Sequence, residues 1–185
     1  MYTNRFENMH VIQPSGKFST ADMQVTCTTV SFSLSAASEL HYPERVTMMT
    51  TEDGNTIALV PWESCGELGE AFSMPFFNQN VKPVPKRIVI REKNFVQAMR
   101  KTRGWDKDKC RRRVYGLYEP SCNAIFFNLR HAVLPSDKGS KKRQIAVLSD
   151  YPKYKDLIYH MKPVMLALPA SPQSTDFEPA SYSVL

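Results

Sequence analysis

The residues of this chain that could do chemistry are concentrated in one basic stretch, residues 81–113. The stretch holds thirteen lysines and arginines against three acidic residues, a local charge of +10, whereas the whole chain of 185 residues carries only +6. Such an excess attracts polyanions or acidic protein surfaces, and the alternative is an ordinary solvated surface. The predicted contact residues are Lys86, Arg87, Arg91, Lys93, Arg100, Lys101, Arg103, Lys107, Arg111, Arg112 and Arg113.

The two halves of the chain carry opposite charge. Residues 1–81 hold three basic and nine acidic residues, a net charge of −6, and residues 82–185 hold twenty-one basic and nine acidic residues, a net charge of +12. A purely structural domain has no need to separate its charges in this way, so the asymmetry indicates charged partners. It also allows the two halves to attract each other.

No pattern typical of catalysis or metal binding occurs. The glycines fit neither GxxxxGK[ST] nor GxGxxG, and no GxSxG or HExxH is present. The four cysteines and four histidines lie far apart, without a CxxC pair or zinc-ligand spacing. We therefore predict no catalytic residue, no metal and no cofactor, and four free thiols. The cysteines are Cys27, Cys65, Cys110 and Cys122, and the histidines are His10, His41, His131 and His160.

Aromatic residues and targeting signals add two expectations. Four aromatics near the basic residues could stack on bases, but at strand and helix-end positions they are more often part of a core; they are Trp105, Tyr115, Tyr118 and Phe126. The first sixteen residues have no apolar run behind a basic start, and no stretch approaches the ~20 apolar residues of a membrane span. An intracellular protein is expected.

A first group of elements is predicted over residues 25–62. Residues 25–32 alternate and are rich in β-branched types, which indicates a strand, and Ser33 or Ser35 could cap a short helix over residues 36–41. Residues 45–50 and 56–60 flank TEDGN, whose Asp53 and Gly54 favour a hairpin turn. The predicted order is strand, helix, hairpin.

The same order is predicted again over residues 86–134. Residues 87–91 form a strand, Asn94 caps a helix that Gly104 ends, and residues 113–118 and 124–129 flank a turn. The interval from Val46 to Ile57 is eleven residues, equal to that from Val114 to Ile125. We interpret the two groups as an internal duplication of a β-α-β-β unit.

The remaining segments are predicted to connect or extend these units. Residues 1–24 form an N-terminal arm, residues 63–85 a locally packed linker rich in proline and phenylalanine, residues 135–168 a basic loop with an extension, and residues 169–185 a disordered tail. Within the extension, residues 144–148 favour a strand and residues 154–161 a short helix. The predicted core is Phe32, Leu40, Val46, Ile57, Leu59, Ile90, Val96, Met99, Val114, Ile125 and Phe127.

The repeated strand, short helix and hairpin resemble the half-barrel unit of AbrB-like, swapped-hairpin DNA-binding proteins, in which two copies from two chains interlock. Here both copies would lie in one chain. The resemblance implies an α+β fold in which two tandem units form a pseudo-twofold barrel, and the duplication favours a monomer. It also implies a DNA-binding transcriptional regulator of a phage or mobile element as one hypothesis.

The layout of SFSLSAASELHYPERVTMMTTEDGNTIALVPW and RIVIREKNFVQAMRKTRGWDKDK also resembles phage and mobile-element proteins that include a type II anti-CRISPR, an inhibitor of Cas9. This resemblance implies a non-enzymatic inhibitor in the bacterial cytoplasm. It would bind the Cas9–guide RNA complex and block target DNA binding or cleavage. The resemblance leaves open whether the protein also binds DNA by itself. An enzyme, such as a nuclease, is the third hypothesis.

The resemblance to Cas9 inhibitors gives the acidic residues a role as well. Cas9 holds nucleic acid in positively charged channels, so an inhibitor could present carboxylates where phosphates would lie; the alternative for each acid is an ordinary soluble surface. The implied partner-binding acids are Glu39, Glu44, Glu52, Asp53, Glu63, Glu67 and Glu70.

Overall fold

A computed structural model describes residues 17–134 and 154–164. Its strands are β1 Lys17–Val25, β2 Val30–Ser33, β3 Arg45–Thr50, β4 Thr56–Pro61, β5 Ser73–Pro75, β6 Arg87–Ile90, β7 Arg112–Glu119, β8 Ala124–Asn128 and β9 Lys162–Pro163. Its α-helices are α1 Leu34–Glu39, α2 Glu67–Phe72, α3 Lys93–Thr102 and α4 Tyr154–Leu157, and short 3-10 helices span Trp62–Cys65, Leu129–His131 and Ile158–His160.

The strands form one antiparallel sheet that curls into a half-barrel, so the chain has the expected α+β class. The strand order is β5-β3-β4-β8-β7-β1-β2-β6, and β9 pairs with β3. The end strands β5 and β6 do not pair with each other in the part of the chain that the structure describes. Across the same ranges, no helix has both the length and the apolarity needed to cross a membrane.

The main core lies on the concave side of the sheet. Phe32 and Phe127 lie at its centre, with ring centroids 5.6 Å apart and tilted planes, an arrangement that aromatic pairs favour. All eleven predicted core residues are buried. They lie on this side because side chains alternate along each strand with a period of two, and the helices pack their apolar faces against the same side of the sheet. A second cluster, centred on Phe126, lies on the other side of β4 and β8, where Met161 covers it.

The N-terminal part of the sheet differs from the prediction. Residues 17–24, predicted to be an arm, belong to β1, which lies between β7 and β2. The single strand predicted over residues 25–32 is wrong, because the chain reverses between Val25 and Val30. The turn forms because the Thr26 hydroxyl accepts hydrogen bonds from the Thr28 and Thr29 amides, at 3.3 and 3.0 Å. Such local bonds compete with an extended strand.

Most of the other predicted elements are present. Both hairpins, β3–β4 and β7–β8, are confirmed, and so is the strand over residues 87–90. Gly104 follows the end of α3 with φ +66°, a left-handed conformation that glycine adopts without a Cβ clash. The predicted cap Asn94 is wrong, because α3 begins at Lys93 with Glu92 at the N-cap position. Ser33 is the N-cap of α1, but its hydroxyl accepts from the Asp22 amide at 2.9 Å.

The segments after each unit agree with the predictions only where they are described. The linker over residues 63–85 contains α2 and β5, and it buries Phe76 and Phe77 as expected for a locally packed segment. Residues 154–161, predicted to be a helix, form α4 followed by a 3-10 turn. The predicted loop over residues 135–143, the strand over residues 144–148 and the tail over residues 169–185 lie outside the described residues.

Gly116 on β7 marks a close approach inside the barrel. A Cβ at this position would lie 2.7 Å from Ile125 Cγ2 and 2.9 Å from Phe127 Cε1. Because both neighbours are buried in the core, we expect Gly116→Ala to lower the free energy of unfolding by ~1–3 kcal/mol through overpacking. Urea denaturation followed by fluorescence would measure the loss. An unchanged midpoint would show that Ile125 and Phe127 both yield without cost.

Candidate nucleic-acid interface

Arg100, one of the predicted contact residues, is an internal residue. Its side chain is only 5% exposed, on the face of α3 that also buries Val96 and Met99. The guanidinium donates to the carbonyl oxygens of Thr26 at 3.4 Å, Cys110 at 3.1 Å, Asp108 at 2.5 Å and Trp105. Because its planar fork of donors is used by these backbone acceptors, Arg100 joins three segments and is not available to a ligand.

Four further arginines of the basic stretch have internal partners. Arg87 forms an ion pair with Asp22 at 2.7 Å, and Arg113 lies 3.8 Å from the same carboxylate. Arg112 binds Asp108 at 2.5 Å, and its guanidinium lies 5.9 Å from the centroid of the Trp105 ring. These arginines are therefore held inside the fold, and two carboxylates, those of Asp22 and Asp108, balance part of their charge.

The fourth of these arginines, Arg103, connects the basic half to the acidic half. Its Nη1 donates to the Asn55 side-chain oxygen in the β3–β4 turn. A Cβ on Gly54 in the same turn would lie 3.4 Å from Thr102 Cγ2, so the turn packs against the C-terminal end of α3. This contact joins the two halves through a neutral amide, whereas the attraction expected between their opposite charges is present in ion pairs such as that of Arg87 with Asp22.

The remaining cations are exposed and have no ion-pair partner within residues 17–134 and 154–164. Lys82 lies in the segment before β6, and Lys86 and Arg91 flank β6. The others lie on α3 and the loop that follows it, and we call this group the α3 face. The α3 face consists of Lys93, Lys101, Lys107, Lys109 and Arg111.

The geometry of α3 aligns its exposed polar residues. Lys93, Gln97 and Lys101 follow each other at intervals of four residues, which places them on one side of the helix, opposite the buried Val96 and Met99. Gln97, Lys101 and Lys109 line one depression of about 370 Å³ together with the carboxylates of Asp106 and Asp108, so the helix and the following loop contribute to a continuous surface. Long cationic side chains around an amide are suited to phosphate groups, and the two carboxylates lower the positive charge of this depression.

A second basic region lies in the opening between β5 and β6. This groove has a volume of about 860 Å³ and is lined by Phe76 and Phe77 together with three arginines, Arg45, Arg87 and Arg91. Arg45 is held by Ser73, whose hydroxyl accepts from Nε at 2.8 Å. Arg91 is the exposed cation of the groove, because Arg45 and Arg87 have partners inside the fold.

The predicted acidic residues lie in several places. Glu63, Glu67 and Glu70 are exposed on the segment from the first 3-10 helix to α2, and this is the group that a partner could contact together. Glu52 and Asp53 lie in the β3–β4 turn, where Lys162 and Arg130 approach them at 3.9 and 3.6 Å. Glu44 lines the groove between β5 and β6, and Glu39 ends α1.

Asp53 forms hydrogen bonds within the β3–β4 turn. Its carboxylate accepts from the Thr51 hydroxyl at 2.6 Å and from the Asn55 amide at 3.0 Å, and these bonds lower its pKa from 3.8 to about 2. A lowered pKa in the folded state stabilises the protein above the unfolded value, and this contribution is lost as the pH falls through the folded value.

We expect Asp53→Asn to lower the free energy of unfolding at neutral pH by roughly 1 kcal/mol or less, since the side chain is 55% exposed and solvent screens its charge. The difference from wild type should shrink below pH 3.8 and be smallest below about pH 2, where the Asp53 carboxylate is protonated in both the folded and the unfolded state. Urea titrations at several pH values would measure it. A difference that is constant down to the lowest pH would contradict the role of the charge.

The aromatic residues do not form a base-stacking platform. Trp105 and Phe126 are buried, and the Tyr118 hydroxyl donates to the Asn123 side-chain oxygen at 3.0 Å. Tyr115 is half-buried on β7. The interpretation of these residues as core is therefore correct for Trp105, which packs in the main cluster, and for Phe126, which packs in the second cluster on the other side of the sheet.

The cysteines are free, and they divide into two classes. Cys27 and Cys110 are exposed, whereas burial raises the pKa of the Cys65 thiol and raises that of Cys122 to about 11. Within residues 17–134 and 154–164, no group of three or more His, Cys, Asp or Glu residues is placed to hold a metal ion.

Sequence reasoning missed two residues that organise the site. Asp22 lay in the predicted arm but forms ion pairs with Arg87 and Arg113, and Asn55 was treated only as a turn residue although it binds Arg103. The alternation of buried Ala21, Met23 and Val25 was a usable signal for β1.

No known protein family, curated protein or solved structure matches this chain.

Proposed function

We propose that this protein is a non-enzymatic binding protein that engages a nucleic-acid-containing partner through the α3 face. The observation that carries this proposal is the contrast within the basic stretch. Arg87, Arg100, Arg103, Arg112 and Arg113 are used by the fold, whereas the cations of the α3 face are exposed without ion-pair partners in the described residues. Unpaired cations on one surface attract phosphates and release counterions on binding.

The partner we propose is the Cas9–guide RNA complex in a bacterial cytoplasm, with inhibition of target DNA binding or cleavage as the outcome. The support is the resemblance in layout to type II anti-CRISPR proteins together with the two charged surfaces. The α3 face would contact guide RNA or target DNA, and Glu63, Glu67 and Glu70 would occupy part of a cationic channel of the nuclease. The chain would act as a monomer.

The second candidate function is an AbrB-like DNA-binding regulator, and the strand pairing favours it. β2 pairs with β6 antiparallel around Ser31 and Val89, and β4 pairs with β8 antiparallel around Ala58 and Phe126. Both pairs join a strand of the first proposed unit to the corresponding strand of the second. A twofold axis that relates the two units and passes through both pairs would require this pairing. We infer from this that the two units arose by duplication.

Binding through the α3 face predicts a large change in salt dependence. For Lys101, Lys109 and Arg111 changed together to Ala, the slope of log affinity against log salt on duplex DNA should fall by about 0.9 for each lost phosphate contact, and to a similar extent on unrelated sequences. The matched control removes three exposed cations elsewhere, Lys82, Arg130 and Lys162. Fluorescence anisotropy at several salt concentrations would measure both variants.

Three outcomes, two from the DNA-binding measurement and one from a parallel Cas9 cleavage assay, would overturn the proposal or choose between its forms. An unchanged affinity and slope for the Lys101/Lys109/Arg111 variant would show that the α3 face is only solvated. Selection of one DNA sequence over others would favour the regulator. Protection of target DNA from guided Cas9 cleavage, lost in this variant and in Glu63/Glu67/Glu70→Gln but kept in the control, would favour the inhibitor.

A further inference from the structure

Cys27 and Cys110 lie on two chain segments that run side by side. Cys27 lies in the turn between β1 and β2, and Cys110 lies in the loop that leads into β7. β1 and β7 pair antiparallel, and the last pair of their ladder is Val25 with Arg112. Beyond that pair β1 enters the turn over Thr26–Thr29, and Cys110 lies in the loop that precedes Arg112, so the ladder brings both cysteines to the same end of the strand pair, two residues beyond it on each chain segment.

The contacts beyond the ladder show that the two segments remain adjacent. One guanidinium nitrogen of Arg100, Nη1, donates both to the Thr26 carbonyl at 3.4 Å and to the Cys110 carbonyl at 3.1 Å. The Cys27 thiol donates to the Lys109 carbonyl oxygen at 3.8 Å, and this carbonyl belongs to the peptide bond that joins Lys109 to Cys110. A disulfide requires Cα atoms about 4.4–6.8 Å apart, and contact between the Cys27 sulfur and the peptide group before Cys110 is compatible with such a separation.

Both thiols are accessible, unlike the other two. Cys27 and Cys110 are exposed, and Cys27 also lines the depression that contains Lys101 and Lys109. Cys65 and Cys122 pack against the second core cluster, where burial disfavours their thiolates. Since the thiolate is the reactive form, the exposed pair should react first.

We propose that Cys27 and Cys110 form a reversible dithiol–disulfide site that reacts with a low-molecular-weight disulfide such as glutathione disulfide. One cysteine thiolate attacks the glutathione disulfide, forms a mixed disulfide and releases one glutathione thiolate. The second cysteine thiolate then attacks the protein sulfur of that mixed disulfide and releases the second glutathione. The protein loses two electrons and two protons, and glutathione disulfide is reduced to two molecules of glutathione.

The proposed disulfide does not depend on the proposed function, because its test measures a covalent bond and not binding to a partner. The bond would fix the turn of Cys27 to the loop that carries Lys107, Lys109 and Arg111. It would also close a long loop of the chain, which restricts the unfolded state, so the oxidised protein should unfold at a higher temperature than the reduced protein.

The test treats the folded, full-length protein with glutathione disulfide and then maps its peptides without reduction. We expect the intact mass to fall by two hydrogens, the free thiols to fall from four to two, and a peptide linking Cys27 to Cys110 that dithiothreitol separates. Cys27→Ser and Cys110→Ser should instead stop at the mixed disulfide and gain one glutathione. Both positions are exposed, so these variants retain the core.

The matched control is Cys65→Ser/Cys122→Ser, which should form the same crosslink as the wild type. A crosslink between Cys65 and Cys122, a crosslink between two chains, or glutathione adducts on the wild type without an internal crosslink would overturn the proposal. So would a crosslinked mass that survives in the Cys27→Ser variant.

Discussion

Replacing Arg100 with methionine is expected to lower the free energy of unfolding by ~3–5 kcal/mol. The physical reason is that four backbone carbonyls, those of Thr26, Trp105, Asp108 and Cys110, lose their donor together. Each buried acceptor left without a partner costs ~1–3 kcal/mol, and those at the edge of the site recover part of this from water. Urea denaturation would measure the change.

Two further variants make this prediction specific. Arg100→Lys keeps the positive charge but lacks the planar fork of donors, so we expect it to recover less than half of the lost stability. Lys101→Met changes the adjacent, exposed cation and should stay within ~0.5 kcal/mol of wild type. A small effect of Arg100→Met, comparable to that of Lys101→Met, would mean that Arg100 does not hold the loop after α3 in place.

Phe127→Ala is expected to lower the free energy of unfolding by ~3–5 kcal/mol, because it removes a fully buried ring and leaves a cavity. The ring packs against Phe32 at a centroid distance of 5.6 Å, and it lies over the position of Gly116. Tyr159→Ala is the matched control, since its side chain is 82% exposed and its removal should change the stability little.

A combined variant tests whether Phe127 and Gly116 are coupled. The clash expected for Gly116→Ala involves the Phe127 ring at 2.9 Å, so the double change Gly116→Ala/Phe127→Leu should cost less than the sum of the two single changes. Thermal unfolding of the four proteins would complete the cycle. Strict additivity would show that Ile125, the other neighbour, determines the clash at Gly116.

The sequence alone determined the local elements and the side on which their apolar residues lie. The two hairpins form because β-branched and apolar residues alternate on both sides of turn-forming residues, Asp53 and Gly54 in one and Pro120 and Asn123 in the other. α3 ends where Gly104 permits the left-handed conformation. These features depend on neighbours along the chain, so composition and period were sufficient to predict them.

Only the tertiary structure decided which basic residues remain available to a partner. A run of lysines and arginines does not specify which side chain points inward, because the partners that decide this are distant in the chain. Asp22, on β1, forms ion pairs with Arg87 and Arg113, and the Thr26 carbonyl in the turn after that strand accepts from Arg100. β1 itself lies between β7 and β2, and this pairing is set as the sheet curls around the core. No local sequence pattern encodes that position.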